Sequence, residues 1–398
     1  MGACHCKASV ETTSRNVEKP ILDTQLLAPI VLDDYGFVCK SNNKRLSDLS
    51  KETGDDVALA AKWQQFISSD EMIKQTRATR NSEWPITRIP CWVRQEVWRS
   101  SSGALCLKQG STKAFNDYVE STDQLTRSQV EIDAPRTFSN HAYFVEGGQG
   151  RQRLKRLLYA ISSRLGSEIG YVQGMNMVVA VILFVVDDDE DAFWILVAFM
   201  EDLGMRTMFA DGLRALTENL NRLGQSISST MPNLTAHFGQ ENIEPFCYGT
   251  PWFLTMFAYN LPVRQTVRLY DVAFLTGMGH ELIHRFALVF IKSVESELLK
   301  RSFTESTTLL KNIVIDDSLL EGLIKKALST DLDSSFRIKG ADIEEGGEEI
   351  RIRPETIIKD KSHAINPGQE WDSIPGTVMA GTTEAMKSTG GNDNANDG

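Results

Sequence analysis

Residues 154–186 read LKRLLYAISSRLGSEIGYVQGMNMVVAVILFVV, and the fold class turns on them. Leu154, Leu157, Leu158, Ile161 and Leu165 recur at i, i+3, i+4, i+7 and i+11, which lines one face of a helix. Gly166 and Gly170 stop that helix. Met175–Val186 is apolar except for Asn176. A bilayer span needs about 20 such residues, so this run reads as a helix buried nearly all round inside protein. An amphipathic helix beside an enclosed one requires more helices to cover both.

The flanking sequence supplies them. Asp187–Asp191 reads as an acidic turn whose carboxylates suit the start of a helix from about Ala192 to Leu203. Leu213, Leu216, Leu220 and Leu223 repeat at threes and fours. Pro232-Asn233 is expected to break the chain before Leu234. Further helices are expected over Trp252–Tyr259 and Val267–Phe274, divided by Leu261-Pro262, and over Ile283–Leu299. Alternating strand patterns are few, so the fold class is all-α. Residues 1–80 read as a variable arm with one helix around Asp56–Ser68. The helical domain is expected over 81–305 and a helical extension over 306–330. Residues 331–398 are acidic and low in complexity, and are expected to be disordered because they lack the apolar surface that offsets ordering entropy.

The chain has 398 residues, 41% of them hydrophobic, enough for a sizeable core. Its net charge is −11, from 53 acidic and 42 basic residues, which argues against nucleic-acid binding. The six cysteines show no disulfide spacing, and a reducing cytosol is the expected compartment. No apolar signal segment occupies the first twenty residues. The start Met1-Gly2-Ala3-Cys4-His5-Cys6-Lys7 instead sets Gly2 where myristoylation requires it, with Cys4 and Cys6 placed for palmitoylation as a second anchor. Cys6 stands where Ser or Thr is usual, and an ordinary unmodified start is the alternative.

Two polar motifs interrupt this helical frame. The first is Val130-Glu-Ile-Asp133-Ala-Pro-Arg136-Thr137-Phe138; the second is Tyr171-Val-Gln173-Gly174-Met175-Asn176. They belong to a longer ordered series. Ile89-Pro90 with Arg94 and Val97-Trp98 comes before them, and Asp191-Ala-Phe-Trp194, Trp252–Phe257, Leu261-Pro262 and Arg268-Leu-Tyr-Asp271-Val272 come after. That series, from about Arg88 to Lys300, resembles the TBC-domain family of Rab GTPase-activating proteins. Each motif is modestly specific; all of them in order are highly so.

The resemblance implies an all-α, multi-helix TBC-type domain acting on a Rab-family small GTPase. Arg136 matches the family's catalytic arginine and Gln173 its catalytic glutamine, with Asp133, Thr137, Tyr171 and Gly174 in support. The chemistry agrees: a guanidinium stays charged and presents a planar fork to phosphate oxygens. A glutamine amide accepts from a water and donates to an oxygen at once. Pro135 fixes φ beside the arginine, and Gly174 lets a partner's backbone approach. The chain would bring no cofactor, metal or substrate chemistry of its own; GTP and Mg²⁺ would belong to the partner. Acyl groups at the N-terminus would hold it on the cytoplasmic face of endomembranes or the plasma membrane.

Each residue also has a plainer reading. Arg136 alone could be a surface ion-pair arginine, Gln173 a helix-start residue, and Asp133 an N-cap. Arg94 and Trp98 read as one structural helix face, and Asp271 as an internal brace. Arg151, Arg153, Lys155 and Arg156 make a basic face that reads by default as solvated. A GTPase-binding scaffold without activity is the rival function. A zinc hydrolase is the remote one, because His280-Glu281-Leu-Ile-His284 is a literal H-E-x-x-H string. The longer metalloprotease pattern fails, since Ala287 and Phe290 stand where Gly and His belong.

Overall fold

The computed structural model describes residues 54–68 and 84–330. Gly2, Cys4 and Cys6, most of the N-terminal arm and the acidic tail lie outside the described residues. The helices in order are α1 (Gly54–Ser68), α2 (Cys91–Ser101), α3 (Ala104–Gly110), α4 (Phe115–Glu120) and α5 (Gln124–Asp133). A 3-10 turn, Ala134–Arg136, leads towards α6 (Gln149–Leu165), α7 (Met175–Leu183) and α8 (Asp189–Glu201). Then come α9 (Arg206–Phe209), α10 (Arg214–Thr230), α11 (Pro232–Glu241), α12 (Phe246–Thr255) and α13 (Val263–Thr276). The described chain closes with α14 (His280–Ser293), α15 (Glu295–Leu298), α16 (Phe303–Lys311) and α17 (Asp317–Ser329). Among the described residues no β-strand forms, as the all-α reading expects.

The opening stretch behaves as read. The leucine face of α6 is buried, and Gly166 ends the helix at φ 79°. Every residue of α7 is buried, Asn176 included. α6 packs on α4, α5, α7 and α8, so the enclosed α7 sits in the middle of the bundle and α6 shields one side of it. α8 begins at Asp189 rather than near Ala192, because the Asp188 side chain accepts from the Asp191 N–H at 2.8 Å. Such a cap is worth about 1 kcal/mol, and the acids behind it suit the positive end of the helix.

Three further helix boundaries differ from expectation. Pro232 does not simply break the chain; it is the first residue of α11, where a missing N–H costs nothing. The apolar run at Trp252–Tyr259 is not one helix. α12 ends at Thr255, and Met256 and Phe257 take left-handed φ values of 46° and 62°. That turn folds Phe257 back to stack on Trp252 with ring centroids 5.2 Å apart, a tertiary gain that periodicity cannot register. Ile283–Leu299 divides at Val294 into α14 and the short α15.

One apolar core runs from Trp98 to Ala327. A smaller cluster joins α1 to the domain: Trp63 is fully buried against Ile89, Val93, Val97 and Leu275. Its indole N–H donates to the Arg88 carbonyl at 2.9 Å. A helix of the arm is therefore docked on the bundle. Beneath it Asp271, fully buried on α13, accepts from the Arg94 Nε at 3.1 Å and the Trp98 Nε1 at 2.7 Å. Arg94 also donates to the Ile89 carbonyl at 2.8 Å. Asp271 is thus the internal brace that the sequence reading favoured, joining α2 to α13.

Candidate functional site

The arginine motif occupies the end of α5 and the 3-10 turn that follows. Asp123 caps α5 by accepting from the Thr126 N–H at 2.9 Å, and Val130 anchors the helix in the core. Glu131 ties it to α6, accepting from the Lys155 Nζ at 2.5 Å and the Tyr159 hydroxyl at 2.7 Å. Burial and that carboxylate push the Tyr159 phenol up to about 12, so it stays a donor. Pro135 sits inside the 3-10 turn, and Arg136 closes it with an exposed side chain. The next two residues point inward: Thr137 is fully buried and Phe138 nearly so. Phe138 has φ 43°, a conformation that non-glycine residues rarely hold without surrounding contacts. Those contacts are aromatic. Phe184 lies 5.3 Å from the Phe138 ring and 4.7 Å from His141, and Phe144 lies 5.2 Å from Phe184.

The glutamine motif occupies the turn between α6 and α7. Gln173 is half-buried, and Gly174 is the N-cap of α7 with φ 107° and ψ −30°, which a side chain would strain. Phe184 is the C-cap of the same helix. α7 therefore presents the glutamine turn at its start and supports the arginine loop from its end.

Side-chain hydrogen bonds join the two motifs. The Tyr171 hydroxyl donates to Asp133 Oδ2 at 2.7 Å. Burial, and then the Asp133 carboxylate, push that phenol well above its ordinary value. Asn176 Nδ2 donates to Thr137 Oγ1 at 2.8 Å, and Thr137 Oγ1 donates to the Asp133 carbonyl at 2.9 Å. Asn176 Oδ1 accepts from the Gly174 N–H at 3.0 Å. Asp133 is tied to the other motif through Tyr171. It is the last residue of α5 and makes no side-chain cap to the turn after it. Two positions 37 apart in sequence are thus carried on adjoining, mutually bonded loops. An exposed guanidinium and a half-buried amide on such a frame can meet an anionic group and a water brought by another molecule.

The Rab-GTPase-TBC domain family model matches residues 91–299, more than half of the chain. The chain belongs to that family. It is similar to TBC1 domain family member 4 of Mus musculus, 34% identical over 208 residues that make up 51% of this chain and 16% of that protein. It is 32% identical to TBC1 domain family member 1 of Homo sapiens over 73% of this chain and 25% of that protein. Against small G protein signaling modulator 3 of Bos taurus the figures are 31%, 67% and 38%. The chain thus spans well under half the length of these curated relatives. Among solved structures it resembles the Chlamydomonas flagellar RabGAP TBC domain with a TM-score of 0.59 and 25% identity, over 75% of this chain and 98% of that one. The Ypt/Rab-GAP domain of Gyp1p shares the fold, with a TM-score of 0.58 over 68% of this chain and 97% of that one. At 19% identity that match speaks to the fold alone.

Within this TBC domain the H-E-x-x-H string is part of the scaffold. Glu281 pairs with Arg285 at 2.5 Å. His284 is 1% exposed, and its Nε2 lies 3.0 Å from Ser226 Oγ on α10. Burial, with Arg222, His280 and Arg285 nearby, pushes its imidazole down to about 4. Glu305 closes the capping box of α16 by accepting from the Ser302 N–H at 3.0 Å. Among the described residues no group of three or more His, Cys, Asp or Glu is gathered to hold a metal.

The basic side chains of α6 make bonds within the domain, while Arg156 also keeps the solvent exposure that the default reading gave it. Arg153 pairs with Asp189 at 2.5 Å, Lys155 with Glu131 at 2.5 Å and Arg156 with Asp189 at 3.3 Å, while Arg151 donates to the Phe144 carbonyl at 2.9 Å. Asn176 is the residue that sequence reading passed over. Its signal was available: a lone amide inside an apolar run must find partners if the run is buried.

Proposed function

We propose that this TBC domain is a GTPase-activating module for a Rab-family small GTPase, an activator rather than an enzyme with a substrate of its own. Arg136 enters the partner's nucleotide site and neutralises charge developing around the γ-phosphate. Gln173 orients the attacking water, accepting a hydrogen bond from it through Oε1 while its N–H donates to a phosphate oxygen. GTP and Mg²⁺ belong to the partner. One observation carries this reading above the others: the loops bearing the arginine and the glutamine are bonded to each other, by Tyr171 to Asp133 and by Asn176 to Thr137. A protein that only bound a GTPase would gain nothing from holding those two side chains in one register.

Single-turnover GTP hydrolysis on a panel of Rab proteins tests it. Wild type is expected to accelerate at least one, and Arg136→Ala to lose roughly 10³ to 10⁵ of that acceleration. Gln173→Ala is expected to lose most of it while binding persists. Acceleration of no Rab sinks the reading, and full activity in Arg136→Ala sinks the mechanism. The rival scaffold would bind a Rab and leave its rate unchanged.

The reading extends to membranes. Acyl chains on Gly2, Cys4 and Cys6 would concentrate the domain where prenylated GTPases reside. Mass spectrometry of the N-terminal peptide from native tissue decides this; an unacylated Gly2 and free thiols at both cysteines would end it.

A further inference from the structure

We propose that Asn176 is a positioning residue for both fingers at once, the side chain that bonds beside each finger and so helps make the arginine loop and the glutamine loop one rigid unit. The proposal rests on reading Arg136 and Gln173 as fingers. Each end of the Asn176 amide reaches the neighbour of one finger. Oδ1 accepts from the N–H of Gly174, the residue after Gln173, at 3.0 Å. Nδ2 donates to the hydroxyl of Thr137, the residue after Arg136, at 2.8 Å. Thr137 Oγ1 donates its own O–H to the Asp133 carbonyl at 2.9 Å, so the hydroxyl can only accept from Asn176 and the chain of bonds has one direction. The Tyr171 hydroxyl, donating to Asp133 Oδ2 at 2.7 Å, closes a ring that passes twice between the two segments.

Three physical features make this linkage stiff. Asn176 is 3% exposed and Thr137 is 0% exposed, so water does not compete for either bond. The amide is planar, which fixes the separation of its acceptor from its donor and hence of the two loops. Gly174 takes φ 107° in the glutamine turn, and the Oδ1 contact holds that residue's own N–H. Of the polar side chains of this size, an amide alone supplies an acceptor to a backbone N–H and a donor to a hydroxyl together. Aspartate keeps the first and loses the second.

The Gly174 N–H is therefore a reporter for substitutions 37 positions away. The experiment combines site-resolved hydrogen exchange with single-turnover hydrolysis on an accelerated Rab, using wild type, Thr137→Val, Thr137→Ser and Asn176→Asp. Thr137→Val keeps the side chain's shape and removes the hydroxyl. It is expected to speed exchange at Gly174 as well as across 134–138, while amides in α8 and α13 keep their protection. The maximal hydrolysis rate is expected to fall on the order of 100-fold, the scale of a misplaced catalytic group, with little change in the Rab concentration at half-maximum. Asn176→Asp is expected to behave the same way, and Thr137→Ser to behave as wild type. In a protein already carrying Arg136→Ala and Gln173→Ala, Thr137→Val is expected to cost no further rate.

Unchanged exchange at Gly174 in Thr137→Val overturns the proposal, as does wild-type activity in that variant. A loss in Thr137→Ser equal to that in Thr137→Val, showing that the hydroxyl is not what matters, overturns it too. If wild type accelerates no Rab while both segments still loosen together, the GTPase reading fails and the coupling of the loops stands.

Discussion

His284 offers a direct test of whether the H-E-x-x-H string is scaffold. Its imidazole is 1% exposed, bonded to Ser226, and held at about 4 against an ordinary value of 6.5. Burial is the main cause. Arg222, His280 and Arg285, which face it from α10 and from its own helix, add to the shift. Because the folded-state value lies below the unfolded one, the unfolded chain binds more protons between pH 6.5 and pH 4. The stability that neutral His284 contributes is complete above that window and is lost as pH falls through it. Between pH 7 and pH 5 the loss from this one group comes to about 2 kcal/mol. Other groups titrate too, so the quantity to measure is a difference. Urea unfolding of wild type and His284→Gln at pH 7 and pH 5 should show wild type losing about 2 kcal/mol more than the variant on acidification. The variant is expected to be the less stable of the two at pH 7. A chelator is expected to leave the wild-type transition unmoved. Equal acid sensitivity of the two proteins, within about 0.5 kcal/mol, would refute the buried-neutral account.

Two further outcomes follow from the scaffold and the site. Asp271→Ala strips Arg94 of its buried carboxylate and Trp98 of its acceptor, and is expected to cost about 3 to 5 kcal/mol in chemical denaturation. Asp271→Asn should cost less because it still accepts from Trp98, and parity between the two variants would count against the Trp98 hydrogen bond. Gly174→Ala places a side chain at φ 107°, a strain of about 1 to 3 kcal/mol. It is expected to abolish GTPase acceleration while leaving Rab binding measurable by calorimetry; an active Gly174→Ala would show that the turn tolerates the change.

Much of the architecture was legible because it is local. The leucines of α6 repeat at the helical period, Gly166 supplies the positive φ that ends it, and the run after Gly174 is too apolar to be anything but enclosed. The acids at 187–191 announced a helix start, and only its position moved, by the three residues that the Asp188 cap adds. The arginine and glutamine motifs were visible as polar, turn-forming interruptions. What was not legible was long-range. The end of α12 depends on Phe257 turning back onto Trp252, and an apolar string looks the same whether it continues or reverses. The basic face of α6 looked solvated because its partners, Glu131 and Asp189, lie on other helices. Trp63 in the arm gave no sign that it would be fully buried against α2.

The division follows the range of the forces. Periodicity, capping and glycine placement act over a few residues, so the chain alone determined an all-α frame and the identity of the Arg136 and Gln173 motifs. The bonding of Tyr171 to Asp133 and of Asn176 to Thr137 exists only once α5 and α7 are both packed on α6, because each bond spans nearly forty residues of sequence. The same packing enclosed His284 and paired Glu281 with Arg285, so a string that reads as a metal site became part of a core.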